Sequence, residues 1–367
     1  MPDDLRNRPV FKLNAIDDQE KFRPLPPPTG EYPYHLDISE VLPDLSADKI
    51  VFHMAGDTGS LRSPEFQRMV ADEMAHQCEA AVGGAAQFFF HLGDVVYNYG
   101  QASQYYSQFF YPFKNYSAPV FAIPGNHDGD IDPLDDPQPE TLEAFRTVFC
   151  DTEQQDIELP DGIRRKTNIQ PHVYWKLKTP LADIIGLYSN VPKFGKITNE
   201  QRDWFITQLK EHEAGKALIV CVHHAPYSAD TNHGSSIHMQ RFLNEAFETA
   251  GVLPDIVFSG HVHNYQRFNK TYSSGKIVPF IVAGAGGFSD LHSLAEPGDP
   301  LFPDDSPLLD DVVLQNYCTD SHGFLKISVS KEDGRLVLAG QYYTIWDAYT
   351  PRQRAGIFDE FRLVIDR

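Results

Sequence analysis

The chain has 367 residues, 41% of them hydrophobic and 22% charged, with a formal net charge of −20. This balance is that of a globular protein with ample core material, and it excludes a uniformly basic nucleic-acid footprint. No stretch approaches the roughly 18 apolar residues of a membrane helix, and Met1–Arg8 lacks the apolar centre of an export signal. The expectation is therefore a cytoplasmic protein with neither nucleic acid nor membrane as partner, or a secreted one if a leader has been removed. Cys78, Cys150, Cys221 and Cys318 show no paired or zinc-like spacing and read as free thiols.

Residues 1–48 are punctuated by Pro24, Pro26, Pro27 and Pro28, and read as an extended arm lying on one domain that spans 49–367. Lys49–Ala55 is the first strand and runs out just before Asp57. A helix follows, with Ser63 as N-cap, Pro64 at its first position, Phe66, Val70, Met74 and Cys78 at helical spacing, and Gly83–Gly84 as its stop. Gln87–Leu92 is a buried strand that leads into Gly93–Asp94–Val95–Val96–Tyr97. The aromatic stretch Gln101–Phe113 is expected to be helical in part, and the strand Pro119–Ile123 runs into Asn126–His127. An acidic, proline-interrupted insertion covers 130–167, with a helix near Thr141–Phe149. Val173–Leu177 and Ile184–Tyr188 are strands about a short turn, and Thr198 with Gln201 predicts a capping box for the helix carrying Trp204, Phe205 and Leu209. The strand Ala217–Val222 ends at His223, the helix Ile237–Ala250 follows, and the strand Asp255–Phe258 leads to His261. Beyond this point Ile277–Ala283, Phe324–Val329, Leu336–Tyr342 and Phe361–Ile365 read as strands without helices between them, interrupted by a polar loop from Gly284 to His322. Strand–helix alternation with a strand-rich tail predicts an α/β fold of two packed mixed sheets flanked by helices, a four-layer sandwich.

The strand ends carry a particular chemistry. Asp57, Asp94, Tyr97, Asn126, His127, His223, His261 and His263 all follow apolar runs, where ligands bind in open α/β sheets. Any one of them alone reads as a turn acid or a structural histidine. Together, in order, they offer hard oxygen and imidazole nitrogen, a donor set suited to iron, manganese or zinc. A carboxylate has two oxygens and can bridge two ions, and Asn126 adds an oxygen without adding charge.

The ordered motifs Asp57–Thr58–Gly59, Gly93–Asp94–Val95–Val96–Tyr97, Gly125–Asn126–His127–Asp128, Val220–Cys221–Val222–His223 and Gly260–His261–Val262–His263 resemble those of the calcineurin-like metallophosphoesterases. More narrowly they resemble the purple acid phosphatase branch, through Tyr97 and through Gly59, where many relatives carry a histidine ligand. The likeness runs from Lys49 to Arg267. It implies a binuclear centre in which Asp57, Tyr97 and His263 hold Fe(III), Asp94 bridges, and Asn126, His223 and His261 hold a divalent iron, zinc or manganese ion. It also implies a hydrolase that cleaves small phosphate monoesters by attack of a metal-bound hydroxide, with phosphodiester cleavage as the alternative and a non-catalytic metal-bound module as a more distant one. His223, four residues before Tyr227, sits in the register of the ligand, so His224 lines the pocket or only packs. The same register makes His233 substrate-facing. His127 and His233 are the candidates to steady phosphoryl oxygens or protonate the leaving group, and Asn126, His127, His224 and His233 those to meet substrate. Asn232 departs from a histidine of the family pattern. Asp128 is expected either to orient His127 or to be a solvated loop acid. The arm is too short for the additional β domain of plant-type relatives. The acidic insertion and the Gly284–His322 loop are expected to shape the mouth of the site and to disfavour highly phosphorylated substrates.

Overall fold

The computed structural model describes residues 7–62, 64–79, 84–159, 162–345 and 355–365. Ser63 and Gly83, the proposed cap and part of the proposed stop of the first helix, lie outside them. In chain order the elements begin with β1 (His35–Asp37), β2 (Lys49–Ala55), α1 (Pro64–Glu79), β3 (Phe88–His91), α2 (Ala102–Tyr105, continued by a π-helical turn over Tyr106–Phe110), β4 (Val120–Ala122), α3 (Asn126–Gly129) and α4 (Glu143–Phe149). They continue with β5 (Asp156–Glu158), β6 (Arg164–Lys166), β7 (Trp175–Lys178), β8 (Ala182–Leu187), α5 (Asn199–Lys210), β9 (Ala217–Val222), α6 (Ile237–Ala250) and β10 (Ile256–Ser259). The tail holds β11 (Tyr265–Thr271), β12 (Ile277–Ala283), β13 (Val312–Cys318), β14 (Gly323–Glu332), β15 (Arg335–Ile345) and β16 (Ala355–Ile365).

Two mixed sheets carry the fold, with orders β1-β7-β8-β9-β10-β12-β11-β13 and β16-β15-β14-β2-β3-β4. The first has a parallel centre of β8, β9, β10 and β12, and the second a parallel half, β2, β3 and β4, ending at the β4 edge. Every residue of β3 and β9 is buried, as continuous apolar runs require when both faces of a parallel strand are covered. The sheets pack face to face. Phe90 and Phe121 of the second sheet meet Trp175 of the first at ring distances of 5.9 and 5.8 Å, and Tyr265 stacks on Tyr342 at 3.9 Å.

Helices close the outer faces, α1 over β14 and β15, and α5 beside α6 with α5 over β8. The α6 sequence dictates its placement: Met239, Phe242, Leu243, Ala246 and Phe247 share one buried face. Ser236 caps its start by accepting from the Met239 N–H at 3.1 Å, and Gly251 ends it at φ 67°.

Several elements depart from the sequence reading. The arm is not wholly superficial, because β1 adds a parallel edge strand beside β7 and buries Tyr34, Leu36 and Ile38. The Gly284–His322 segment is not one loop, since β13 pairs with β11 inside it. Gln201 does not complete a capping box. Thr198 accepts from the Gln201 N–H at 3.2 Å, but the Gln201 amide brackets the Tyr188 backbone at 2.8 and 2.9 Å. All four cysteines are free thiols. No described helix is long and apolar enough to cross a membrane.

Candidate metal centre

The C-terminal ends of β2, β3 and β4 in one sheet and of β9 and β10 in the other converge, and each delivers polar side chains within a few residues of its last hydrogen bond. The chain turns sharply there. Asp57, Asp94 and His261 have φ of 57°, 54° and 68°, a left-handed conformation that non-glycine residues adopt at a cost of about 1–2 kcal/mol and that clusters at functional sites.

The donors fall into two groups. In one, the Tyr97 hydroxyl donates to Asp57 Oδ1 at 3.1 Å and lies 3.3 Å from His263 Nε2, which is itself 3.5 Å from Asp57 Oδ1. In the other, Asn126 Oδ1 lies 3.1 Å from His223 Nε2 and 3.0 Å from His261 Nδ1, and Asp94 Oδ2 is 3.3 Å from His223 Nε2. One atom from each of Asp94, His223 and His261 falls within 4.8 Å of the others, spacing suited to a shared ion.

Backbone groups fix the tautomers. His223 Nδ1 donates to the Leu92 carbonyl at 2.8 Å and His263 Nδ1 to the Asp290 carbonyl at 3.1 Å, leaving each Nε2 facing the carboxylates, where a metal ion would take the place of its proton. The Asp57 carboxylate also accepts from the His261 N–H at 2.8 Å, and Asp94 from the His127 N–H at 2.9 Å. Gln108 from the π-helical turn grips the Tyr97 backbone on both sides, at 2.9 and 2.5 Å. At Gly59 a Cβ would lie 2.8 Å from Gln108 Oε1, 2.8 Å from the Val95 carbonyl and 2.9 Å from the Tyr97 ring. The Tyr97 side chain therefore fills the space that any side chain at position 59 would need.

Electrostatics calls for cations. Burial, then Asp57 and Asp94, pushes the Tyr97 phenol well above its ordinary pKa. Burial would raise Asp94, but His223 and His127 hold it below the ordinary carboxylate range; the reciprocal pull of Asp94 outweighs burial at His223 and lifts it to about 9. His261 is pressed well below its usual value by burial and by the surrounding imidazoles. Two carboxylates, a phenol and lone-pair imidazoles packed this tightly fit a pair of metal ions, with Asp94 placed between the groups.

The remaining predicted residues take distinct places. His127 stacks on Tyr97 at 4.4 Å and its Nδ1 donates to the Asn98 carbonyl at 2.6 Å. His233 lies on the opposite side, 4.2 Å from the His261 ring, with its Nδ1 buried and unpartnered among the described residues. His224 does not line an open pocket. It is fully buried, paired through Nδ1 with Ser189 Oγ at 2.7 Å, and supports the His261 ring at 4.3 Å. Asp128 neither orients the His127 ring nor meets solvent. It is buried, accepts from the N–H groups of Val95, Val96 and Gly125 at 3.0, 3.2 and 2.8 Å, and is pushed up to about 7 by burial and Asp94.

Sequence reasoning missed His292, which stacks on His263 at 4.6 Å and meets Asn232 Nδ2 at 3.3 Å. It also missed His91, held neutral by burial at about 3, which joins Thr58 Oγ1 to the Gly93 N–H at 2.8 and 3.1 Å. No strand end flags His292, whereas His91 lies inside the apolar run before Gly93. The acidic insertion and α2 border a cavity of about 670 Å³ lined by Asp130, Asp132, Asp135, Asp136 and Glu140, among others.

No curated protein sequence matches the chain. Among solved structures it is similar to GAP50, described as the anchor in the inner membrane complex of Plasmodium, with 14% identity, TM-score 0.57 and coverage of 87% of this chain and 90% of that one. A dimetal phosphatase from Danio rerio also aligns, at 12% identity and TM-score 0.45, over 86% of this chain and 98% of that one. At 14% identity the likeness to GAP50 speaks to the fold alone. Residues 51–265 match the calcineurin-like phosphoesterase family, a span that contains every donor described above, and the chain belongs to that family.

Proposed function

We propose that the protein is a binuclear-metal phosphomonoesterase of the purple acid phosphatase type, formed by one catalytic domain over 49–367 with the arm laid against it. The observation that carries this reading is the position of the Tyr97 phenol, 3.1 Å from Asp57 Oδ1 and 3.3 Å from His263 Nε2, in space that Gly59 leaves open. Asp57, Tyr97 and His263 would hold a trivalent iron, since a phenolate is a strong anionic donor. Asn126, His223 and His261 would hold a divalent iron, zinc or manganese ion, and Asp94 would contact both. When bound, such a pair supplies Lewis acidity for water activation and neutralises charge on a phosphoryl group.

The chain's own residues supply the rest. His127, anchored through Nδ1 to the Asn98 carbonyl, is the group placed to pass a proton to a leaving-group oxygen. Burial, followed by its positive neighbours, holds His233 well below its ordinary pKa, so it acts as a neutral hydrogen-bonding group towards phosphoryl oxygen. The acidic insertion disfavours bulky polyanions on its side of the site, consistent with a small phosphorylated substrate.

The test is spectroscopic first. Iron-loaded protein is expected to show a visible phenolate-to-iron(III) band that is absent in Tyr97→Phe, and a colourless iron-loaded protein would remove the iron assignment. Turnover of an aryl phosphate monoester well above that of the matching diester is expected. The reverse order would make the protein a phosphodiesterase, and the absence of both activities would favour a non-catalytic module.

A further inference from the structure

The outward backbone groups of an edge strand invite pairing with another chain, and three of the four edges of the two large sheets are blunted. β1 and β4 have only three residues each. The outer side of β4 is also bonded by side chains: Gln170 brackets Ala122 at 2.7 and 2.8 Å, and Asn168 donates to the Val120 carbonyl at 2.8 Å. β13 is met by the N-terminal arm, where the Leu314 N–H donates to the Asn7 carbonyl at 2.8 Å. β16 is left open. It runs for 11 residues as the last strand of the second sheet and pairs with β15 on one side only. Among the described residues, no group outside β15 bonds to its backbone. It holds neither proline nor lysine, residues that commonly protect an edge. Its inward carboxylate, Asp359, is matched within the chain by Arg267 at 2.7 Å. Ile357, Phe358 and Val364 are 49, 44 and 38% exposed along it.

The order of residues in β16 is complementary to itself run backwards. Antiparallel pairing of two copies about a twofold axis through Phe361 sets Glu360 of each copy opposite Arg362 of the other, Phe358 opposite Val364, and Ile357 opposite Ile365. Opposite charges and apolar pairs are the favourable cross-strand combinations. Residues directly opposite each other share a face of the sheet, so the axis passes through a residue. Moving it to Glu360 or to Arg362 sets like charges against each other. The regular stretch Asp359–Leu363 maps onto itself in the Phe361 register, and the bulge opposite Tyr342 and Tyr343 falls outside it. Both charges have atoms to spare: Arg362 gives one nitrogen to Glu332 at 2.8 Å, and Glu360 one oxygen to Gln341 at 2.6 Å.

We propose that a second copy of the chain pairs with β16 in this antiparallel register, joining the two six-stranded sheets into one across a twofold dimer. The closed pairing covers both open edges and stops at two chains. β15 and β14 lie between β16 and β2, so the metal-site donors stay outside the interface and the dimer is independent of the phosphoesterase reading.

The experiment is sedimentation velocity of the full chain across the micromolar range. It is run at about 0.15 M salt, where a Debye length of about 8 Å screens the net charge of −20 on each copy. The wild type is expected to show a monomer–dimer equilibrium. Arg362→Glu sets like charges opposite each other and is expected to raise the dissociation constant about tenfold. Val364→Lys, which places a charge against Phe358, is expected to weaken the dimer at least as much. The exchange Glu360→Arg/Arg362→Glu restores complementarity and is expected to return the constant to within about threefold of wild type. Lys210→Glu, the same change of charge on the exposed end of α5, should leave it unaltered. Far-UV circular dichroism, expected to be the same for every variant, separates lost pairing from lost folding. A wild type that stays monomeric, or that forms species larger than two chains, overturns the proposal. So does a dimer indifferent to both Arg362→Glu and Val364→Lys, or a double exchange that fails to restore it.

Discussion

At the scale of single residues, the donors are held by groups that never meet a ligand. Asp128 is the clearest case, because its buried carboxylate gathers the N–H groups of Val95, Val96 and Gly125 and so ties the Asp94 loop to the Asn126 loop. Removing it leaves buried donors without a partner, at about 1–3 kcal/mol for each one stranded. Asp128→Ala should therefore lower the unfolding free energy by about 3 kcal/mol and reduce bound divalent metal, although Asp128 is not a donor. Asp128→Asn keeps one acceptor oxygen and should recover most of both. Urea denaturation with elemental analysis reads the two effects, and wild-type metal content in the alanine variant would refute the link. Asp57, Asp94, Asn126 and the paired histidines at 261 and 263 were legible because each directly follows an apolar run. His292 was not, because it lies on a segment with no periodic pattern and reaches the site only through a chain crossing.

At the scale of elements, local motifs gave way where a tertiary partner offered more. Gln201 has the spacing of a capping residue, yet bracketing the Tyr188 backbone satisfies a buried N–H and C=O that water cannot reach. β16 is fastened to the first sheet by Asp359, which accepts from Arg267 at 2.7 and 3.0 Å and from the Tyr265 hydroxyl at 2.7 Å. Burial would raise the Asp359 pKa, but these hydrogen bonds with Arg267 and Tyr265 hold it below the ordinary value. Its stabilisation is therefore complete above the unfolded carboxylate value of about 4 and fades as pH falls through the lower folded value. Asp359→Asn should cost about 2 kcal/mol near neutral pH, because it weakens the bidentate contact to a half-buried guanidinium. Paired denaturation curves should show the gap from wild type narrowing below about pH 4. A gap that is independent of pH would place the contribution in packing instead.

At the scale of the whole molecule, two sheets lean their strand ends against one anionic centre. Asp57 and Asp94 repel one another, and the Tyr97 phenol cannot ionise beside them, unless cations lie between them, so metal ions should bind the folded chain in preference to the unfolded one. Ligand present at about a hundred times its dissociation constant adds about 2.7 kcal/mol. Removing metal with a chelator should then lower the thermal midpoint by about 3–4 °C, to be restored by adding metal ions back. Differential scanning calorimetry reads this directly, and an unchanged midpoint would mean that the fold does not depend on the ions.

The sequence by itself determined which strands are buried and which chemistry stands at their ends, because both are written within a few neighbouring residues. Tertiary structure decided how those donors divide, with Tyr97 beside Asp57 and His263, and Asn126 beside His223 and His261, because the grouping depends on two sheets meeting face to face. It also decided that His224 is buried and that the N-terminal arm bonds to the segments carrying His233 and His292. These outcomes depend on backbone hydrogen bonds between segments far apart in the chain, which no local spacing encodes.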